Sequence, residues 1–394
     1  GNLSMPFTPL GRPARMISLS TPQAHGDPEK LMNSSPAMNQ PGDACNSVND
    51  SFDLGIPVEI GKIEKELGRL WESSDDTKTR ASLINFIVYT EDTDSLSADT
   101  EVISAVAGKH ACRAILIIAN PLAPISEAKA WISAHCHLAG KGERQICSEQ
   151  ITFRLDGDSA HALPNIVFSH LDSDLPLCLW WKAEFPEPLD EKLWGWVDRL
   201  IFDSSTWKNP AHQFSIIRHL SSSDTTGRVL CDLDWTRLHS WRFALAGMFD
   251  HASAFPCLSG VESLHLKCAP GKRTTGLLLL GWMASRLKWQ PSGDGDSFIA
   301  ADGKKIPFVI DAVPGPNLSL VSIHCGEALF ELELAESGDF FESRIHAPGT
   351  RDTRQILPAG RGKIADTLLA ELSRSGRHPL YTKSLELILP LIGK

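Results

Sequence analysis

The sequence is short of several features that define common protein classes. Only 2 of its 394 residues are tyrosine, whereas 11 are tryptophan. No apolar run reaches the roughly 18 residues of a membrane-spanning helix. The first residues also lack the continuous hydrophobic segment of a secretory signal. We therefore expect a cytoplasmic protein with no membrane-spanning segment.

Positive charge is scarce as well. The 38 lysines and arginines are outnumbered by 48 aspartates and glutamates, which gives a formal net charge of -10. Phosphate backbones and anionic lipid surfaces select for basic proteins. The charge balance therefore argues against nucleic-acid and membrane partners. The hydrophobic content of 42% is ordinary for a globular protein with a sizeable core.

The cysteines show no C-x-x-C pair, and their number, nine, is odd. Several lie in apolar runs, which predicts buried thiols in a reducing compartment rather than a disulfide scaffold. Cys257 and Cys268 would pair only under oxidation. His135, His137 and Cys147 could bind zinc, but their spacing is not that of a known finger, and packed or exposed side chains are the favoured interpretation.

Motifs for cofactors and nucleophiles are missing too. No G-x-G-x-x-G follows a strand pattern, and there is no G-x-S-x-G elbow. Residues 360–364 (GRGKI) resemble a phosphate loop but lack its spacing. Asp232 and Asp234 precede a predicted helix, where an N-cap is a better interpretation than a divalent-ion site. We predict no catalytic residue and no cofactor or metal.

The pattern of elements predicts α/β plus α+β architecture. Residues 1–57 are rich in Ser, Pro, Asn and Gly, so we expect a disordered or loosely attached segment. Residues 58–220 alternate helical patterns with apolar strands, including Leu83–Tyr89 and Arg113–Ala119. They predict a mixed α/β domain. Residues 160–171 are expected to be helical, and residues 129–138 and 149–155 to form a hairpin.

Residues 228–394 predict an α+β domain after a polar loop at 221–227. A helix is expected up to Asp250, and residues 275–287, which are apolar nearly all round, predict a buried central helix. Five short strands between residues 298 and 346 predict an antiparallel meander. Two helices follow. The late basic residues suggest either a docking patch for an acidic partner or, preferably, a solvated face: Arg344, Arg351, Arg354, Arg361, Lys363, Arg374, Arg377 and Lys383.

Two tryptophan-rich runs are the most distinctive stretches. Residues 175–181 form a short apolar run that ends in Trp180 and Trp181, which predicts a strand buried on both faces. Residues 194–207 are expected to form another strand leading into a turn. Core packing is the favoured interpretation of these aromatics. The alternative is a ligand or partner surface at residues 203–207.

Several short motifs, taken in their order along residues 58–390, resemble the glucose-6-phosphate dehydrogenase assembly protein family, OpcA. They are residues 81–89 (ASLINFIVY), 110–117 (HACRAILI), 147–151 (CSEQI), 174–181 (DLPLCLWW), 198–204 (DRLIFDS), 234–237 (DWTR), 241–242 (WR), 281–287 (GWMASRL) and 378–381 (HPLY). The resemblance implies two domains and no assigned enzymatic centre. It also implies a partner, glucose-6-phosphate dehydrogenase, which feeds the oxidative pentose phosphate pathway. The family is linked to thiol redox control in photosynthetic bacteria.

The expected function is therefore that of a non-enzymatic assembly factor or allosteric activator that acts by protein–protein binding. The alternative is a sugar-phosphate sensor or enzyme with a site between the two domains. We select seven candidate partner-binding residues: Trp180, Trp181, Asp203, Trp235, Arg237, Trp241 and Arg242. The alternative role of each tryptophan is core packing. The alternative role of the two arginines is an ion pair with Asp232 or Asp234.

Overall fold

The residues that the structure describes form two sheets, the first of which has nine strands. A computed structural model describes residues 54–72, 78–80, 82–138, 145–222, 227–250, 254–348, 352–360 and 362–393. The strands of the first sheet are β1 (Ile56–Val58), β2 (Lys78–Arg80), β3 (Ile84–Thr90), β4 (Cys112–Asn120), β5 (Glu127–Leu138), β6 (Gln145–Asp156), β7 (Leu177–Trp181), β8 (Arg199–Phe202) and β9 (Val229–Asp232). Their order is β1-β5-β6-β4-β3-β7-β8-β9, and β2 also pairs with β6.

The run β6-β4-β3-β7-β8-β9 is parallel throughout. Numbered by their place in the chain, these six strands follow the order 3-2-1-4-5-6 of doubly wound dinucleotide-binding folds. The strands β3, β4 and β7 are almost entirely buried, as expected for parallel strands covered on both faces. The mixed α/β prediction is confirmed at this level.

The helices of this part connect or cover the strands. They are α1 (Ile63–Glu72), α2 (Leu96–Ala107), α3 (Leu163–Val167), α4 (Glu191–Gly195) and α5 (Pro210–Ser222). One prediction was wrong here, and a second was correct only in part. Trp194 lies in α4 rather than in a strand, because its indole packs edge-on against Trp181 and Phe185. The helix expected over 160–171 is divided into α3 and two short 3-10 turns.

The second sheet has eight strands. They are β10 (Ser263–Cys268), β11 (Gln290–Pro291), β12 (Ser297–Ile299), β13 (Lys305–Ala312), β14 (Leu318–Cys325), β15 (Ala328–Leu334), β16 (Phe340–His346) and β17 (Thr353–Pro358). Their order is β11-β12-β13-β10-β14-β15-β16-β17. The predicted meander is correct for the pair β12–β13 and for β14 to β16, which β17 extends. The unpredicted strand β10 separates β13 from β14 and runs parallel to β13.

The remaining helices are α6 (Leu233–Arg237), α7 (His239–Met248), α8 (Arg273–Leu287), α9 (Ile364–Ser373) and α10 (Pro379–Ile388). As predicted, α8 is a buried central helix. It packs so closely on α10 that a Cβ on Gly281 would lie 2.6 Å from the Ser384 carbonyl oxygen.

One large apolar core includes residues of both sheets, and a smaller one joins α2 to Leu368 of α9. Residues 52–394 accordingly form one compact unit. The division into domains at 220–228 stays a prediction. The disorder expected over residues 1–57 falls mostly outside the described residues. Ile56 and Pro57, however, belong to β1, where they pair with Ile132 and Trp131 of β5.

None of the described helices is long and apolar enough to cross a membrane. A disulfide joins Cys136 to Cys147, which are directly opposite each other on β5 and β6. The expectation of unpaired thiols was therefore wrong for these two residues. Cys257 and Cys268 are not joined. Cys268 is among the five free cysteines that are buried in the described part of the chain, as expected for most of them.

Candidate functional site

The strand order of the first sheet reverses between β3 and β7, and the carboxyl ends of these strands border the crevice where dinucleotides bind in folds of this order. Residues 91–95 (EDTDS) lead from β3 to α2 and contain no glycine. The side chain of Asp92 accepts a hydrogen bond of 3.0 Å from the backbone N–H of Asp94. A pyrophosphate here would meet carboxylates instead of a glycine-rich loop with free N–H groups.

A partly buried ion pair occupies the same crevice. Lys182, which follows β7, places its Nζ 2.5 and 2.6 Å from the two carboxylate oxygens of Asp99 in α2. The same Nζ donates to Ser95 Oγ at 2.8 Å. The Asp99 carboxylate neutralises the cation best placed to meet a phosphate. The crevice therefore offers an anion little attraction.

A second polar cluster lies at the carboxyl ends of β8 and β9. Asp232 ends β9 and caps α6: its Oδ1 accepts hydrogen bonds from the backbone N–H groups of Asp234 (3.0 Å) and Ser204 (3.1 Å). The hydroxyl of Tyr381 donates to its Oδ2 at 3.2 Å. The prediction of an N-cap at Asp232 is confirmed.

Arg237 joins the carboxylates of this cluster. Its Nη2 lies 2.8 and 2.7 Å from the two carboxylate oxygens of Asp203 and 3.8 Å from Oδ1 of Asp234. It also donates to Ser205 Oγ at 3.0 Å, and Thr275 Oγ1 donates to Asp234 Oδ2 at 2.7 Å. The ion-pair interpretation of Arg237 is therefore realised, with Asp203 as its nearest partner.

The electrostatics of the cluster follow from its burial. Burial, and then the repulsion from Asp234, raises the pKa of Asp232 to about 7. Burial, and then the repulsion from Asp203, raises the pKa of Asp234 to about 6, although Arg237 opposes the shift. Burial alone would lower the pKa of Arg237, but Asp203 and Asp234 raise it above its usual value. Arg237 therefore stabilises the ionised form of the carboxyl groups next to it.

A groove of about 350 Å³ opens beside this cluster, between α6, α7 and the second sheet. Asp234, Arg237, Trp241, Asn317 and Phe341 are among the residues that line it. The rings of Trp241 and Phe341 lie 4.6 Å apart. The groove thus has polar groups and largely buried aromatic rings in its lining, as small-molecule sites commonly do.

The predicted site residues fall into separate places. Asp203, Arg237 and Trp241 lie at or beside the cluster. The guanidinium of Arg242 lies 3.8 Å from the centre of the Trp235 ring and donates to the Trp235 carbonyl oxygen at 2.8 Å. Burial lowers the pKa of Arg242 to about 10. Both residues are buried, which argues against direct contact with a partner, and their assignment as partner-binding residues stays a prediction.

Trp180 and Trp181 lie in the core and point to opposite faces of β7, as predicted for adjacent residues of a strand. Trp181 stacks on Tyr89 with the ring centres 3.7 Å apart. The burial of these two side chains argues against direct contact with a partner. Their assignment as partner-binding residues stays a prediction.

Other candidate groups are engaged elsewhere. The sulfur of Cys147 is bonded to Cys136, so it cannot complete a zinc site, and His135 Nε2 lies 2.6 Å from Gln150 Oε1. In the late basic run, Arg344 and Arg354 both pair with Glu342, which suits a solvated face. Arg351 and Arg361 lie outside the described residues.

Sequence reasoning missed the Lys182–Asp99 pair and a buried contact between Glu371 and His378. No local pattern marks the first pair, because 83 residues separate its members. The acidic residues after β3 are evident in the sequence itself. Their meaning depended on the strand order, which the sequence does not display.

Strand order and site together define the class: a mixed α/β protein with the strand order of dinucleotide-binding folds and a crevice occupied by carboxylates. Two family models, described as the N-terminal and the C-terminal domain of a glucose-6-phosphate dehydrogenase subunit, match residues 103–219 and 228–385. The chain belongs to this family, OpcA, and the predicted resemblance is confirmed.

The curated relatives agree with this assignment. An OxPP cycle protein OpcA of Synechococcus elongatus is 26% identical over 318 residues, which cover 72% of this chain and 68% of that protein. The protein of the same name from Nostoc punctiforme is 26% identical over 320 residues, 73% and 67% of the two chains. The chain thus spans about two thirds of these relatives.

Solved structures are similar at a coarser level. The transcriptional regulator Gal80p of Kluyveromyces lactis has a TM-score of 0.45 and 9% identity, with 79% of this chain and 91% of that chain covered. Levoglucosan dehydrogenase, apo form, has a TM-score of 0.43 and 11% identity, with 79% and 96% covered.

Proposed function

We propose that this protein is a non-enzymatic subunit that binds glucose-6-phosphate dehydrogenase and favours its assembled, active form in the oxidative pentose phosphate pathway. Membership of the family supports the partner. The observation that supports a non-enzymatic role is the crevice between β3 and β7. Carboxylates and the Lys182–Asp99 pair lie there, where a coenzyme would bind in a dehydrogenase. Transfer of a hydride to a bound nicotinamide has no support there.

The contact surface that we propose is the edge formed by the carboxyl ends of β3 and β4. The loop after β4 exposes Leu122 (92%) and Ile125 (74%). The loop after β3 adds the exposed Glu91 and Asp92 at the same edge, because the two strands are parallel neighbours. Exposed apolar side chains bordered by charges are a frequent feature of protein–protein interfaces.

A binding protein changes its partner only through a difference in affinity between two states of the partner. This chain would therefore have to bind the assembled dehydrogenase more tightly than the unassembled or inactive form. A tenfold preference corresponds to about 1.4 kcal/mol. A preference of that size is within reach of a small apolar surface.

The proposal is tested with the dehydrogenase from the same organism. Its activity and its mass by light scattering are measured with and without this protein. We expect a complex, together with a higher rate or a lower KM. Replacing Leu122 and Ile125 by serine should weaken the complex by at least tenfold. Leu83→Ser is the matched control: Leu83 is 69% exposed but precedes β3, at the opposite edge.

The absence of both complex and kinetic effect, in reduced and in oxidised protein, would refute the proposal. An equal loss with Leu83→Ser would instead refute the choice of surface.

The groove beside Arg237 favours a second candidate, a small-molecule sensor. Because Asp203 already neutralises Arg237, the groove suits a neutral polyol better than a sugar phosphate. Thermal unfolding with glucose and with glucose 6-phosphate separates the two. A shift with glucose that Trp241→Ala removes would support the sensor, and no shift with either compound would exclude both ligands.

A further inference from the structure

Three side chains with metal-binding atoms meet in the interior, away from the groove and the crevice. Cys231 lies on β9, Glu371 on α9, and His378 directly before α10. All three are buried, and their ligand atoms lie within 4.8 Å of one another. His378 Nε2 is 2.9 Å from Glu371 Oε2 and 3.9 Å from Cys231 Sγ.

The ligand atoms of the three side chains lie around one point. In a nucleophile–base–acid relay, the two nitrogens of the histidine face different partners. Here the same nitrogen, Nε2, faces both the thiol and the carboxylate, while Nδ1 faces Arg374 at 3.3 Å. Three ligand atoms around one point form the geometry of a metal site rather than that of a proton relay.

The carboxylate of Glu371 faces the other two ligands. Its Oε1 accepts a hydrogen bond of 2.6 Å from Thr236 Oγ1. Its Oε2 lies 2.9 Å from His378 Nε2. A buried carboxylate needs a donor or a cation as its partner, and a metal ion between these atoms would serve as one.

We propose that Cys231, Glu371 and His378 form a binding site for one zinc ion. The thiolate and the carboxylate would neutralise its two charges. Zinc bonds of about 2.0 Å to oxygen and nitrogen and about 2.3 Å to sulfur place tetrahedral ligand atoms roughly 3.3–3.7 Å apart. The observed separations therefore require adjustments of less than about 1 Å in Nε2–Oε2 and Nε2–Sγ.

The surroundings support this ligand set in two ways. Arg199 Nη1 lies 3.3 Å from Cys231 Sγ and would stabilise the thiolate. A cavity of about 110 Å³ reaches His378 and is also lined by Arg228, Arg377 and Thr382, which gives water access to one of the three ligands. An open fourth position next to three protein ligands would take a water molecule.

One rearrangement is required. Zinc on Nε2 leaves the proton on Nδ1, where Arg374 then finds a donor instead of an acceptor. Residue 374 is exposed, so its guanidinium can turn toward solvent. The ion would add a metal link between the edge strand β9 and the last two helices, which the hydrogen bonds from Tyr381 to Asp232 and from Thr236 to Glu371 already anchor.

The test uses the full chain without a histidine tag, kept reduced, loaded with zinc and dialysed. Elemental analysis should find about one zinc per chain. Zinc should be lost in Cys231→Ser and in His378→Gln, and kept in Cys178→Ser, which changes a buried free cysteine elsewhere in the fold. The thermal midpoint should fall on chelation and recover with zinc in the parent protein and in Cys178→Ser.

Cobalt substitution makes the test independent of how the variants fold. Cobalt bound to the parent protein should show a thiolate-to-cobalt charge-transfer band. Parent protein that retains no zinc after loading, or that binds cobalt without this band, would overturn the proposal. So would Cys231→Ser protein that keeps its full zinc content.

Discussion

Replacement of Arg237 by methionine gives the sharpest test of the polar cluster. Methionine keeps much of the apolar stem but removes the cation that lies between Asp203 and Asp234. The Arg237 side chain is only 23% exposed and that of Asp234 only 1%. Removing one partner of a buried ion pair leaves an uncompensated charge, which costs about 3 kcal/mol or more.

The loss of unfolding free energy in Arg237→Met should depend on pH, and the direction of this dependence follows from the pKa of Asp234. The pKa of Asp234 is already raised to about 6 in the folded protein, and loss of the cation raises it further. Each added pKa unit contributes about 1.4 kcal/mol until the pKa passes the pH of the measurement, so the contribution can reach about 2 kcal/mol at pH 7.5. That contribution disappears once the carboxyl is protonated in both proteins. The variant should therefore recover part of its stability between pH 7.5 and pH 5.

Urea unfolding at these two pH values measures the effect. Arg69→Met is the matched control, because Arg69 pairs with Glu66 at 2.6 Å on an exposed helix face. Its loss should stay below about 0.5 kcal/mol and be independent of pH. The reasoning would be refuted by a loss below about 1 kcal/mol for Arg237→Met, or by an equal loss at both pH values.

Two further predictions concern the cluster and the helix contact. Asp234→Asn should not destabilise the protein at pH 7. It should also reduce the gain in unfolding free energy between pH 7 and pH 4 by about 2 to 3 kcal/mol, because the parent carboxyl binds a proton more tightly when folded; urea titrations show both effects. Gly281→Ala should cost about 2 kcal/mol or more, since the added Cβ meets α10. In the same unfolding assay, Gly247→Ala, which has open space around its Cβ, should be neutral or stabilising.

The individual strands of the first sheet could be predicted because each is a continuous apolar run, as in β3 and β4. The order of the strands could not be predicted, because it depends on which crossover connections pack together. An apolar run does not specify which strand lies next to it. The acidic residues of 91–95 were visible from the start. Only the order of the strands placed them at the coenzyme crevice.

In the second sheet the outcome differed from strand to strand. The strand β10 (SLHLKC) alternates apolar and polar residues, so the signal was present and was overlooked. The strand β17 (TRQILP) is an edge strand with mostly exposed residues and therefore lacks such a pattern. Trp194 shows the opposite error. An aromatic residue in an apolar run suggested a strand, but tertiary packing held it in a short helix.

Polar sites depend most on contacts between distant parts of the chain. Asp203 and Arg237 are 34 residues apart and meet because β8 and β9 are parallel neighbours, so that the segments after them start at the same edge. Cys231 and His378 are 147 residues apart, and no local pattern links them. The sequence could therefore supply Asp203 and Arg237 as candidates but not their pairing.

The position of the carboxylates is the physical basis of the binding role that we propose. A dinucleotide crevice needs free N–H groups and a backbone that a phosphate can approach closely. In this chain, the Asp92 side chain accepts the hydrogen bond of the Asp94 N–H, and the Asp99 carboxylate forms an ion pair with Lys182. The same edge is then free to present Leu122 and Ile125 outward. Restoring coenzyme binding would require removal of several carboxylates together, whereas partner binding should be sensitive to the two apolar side chains alone.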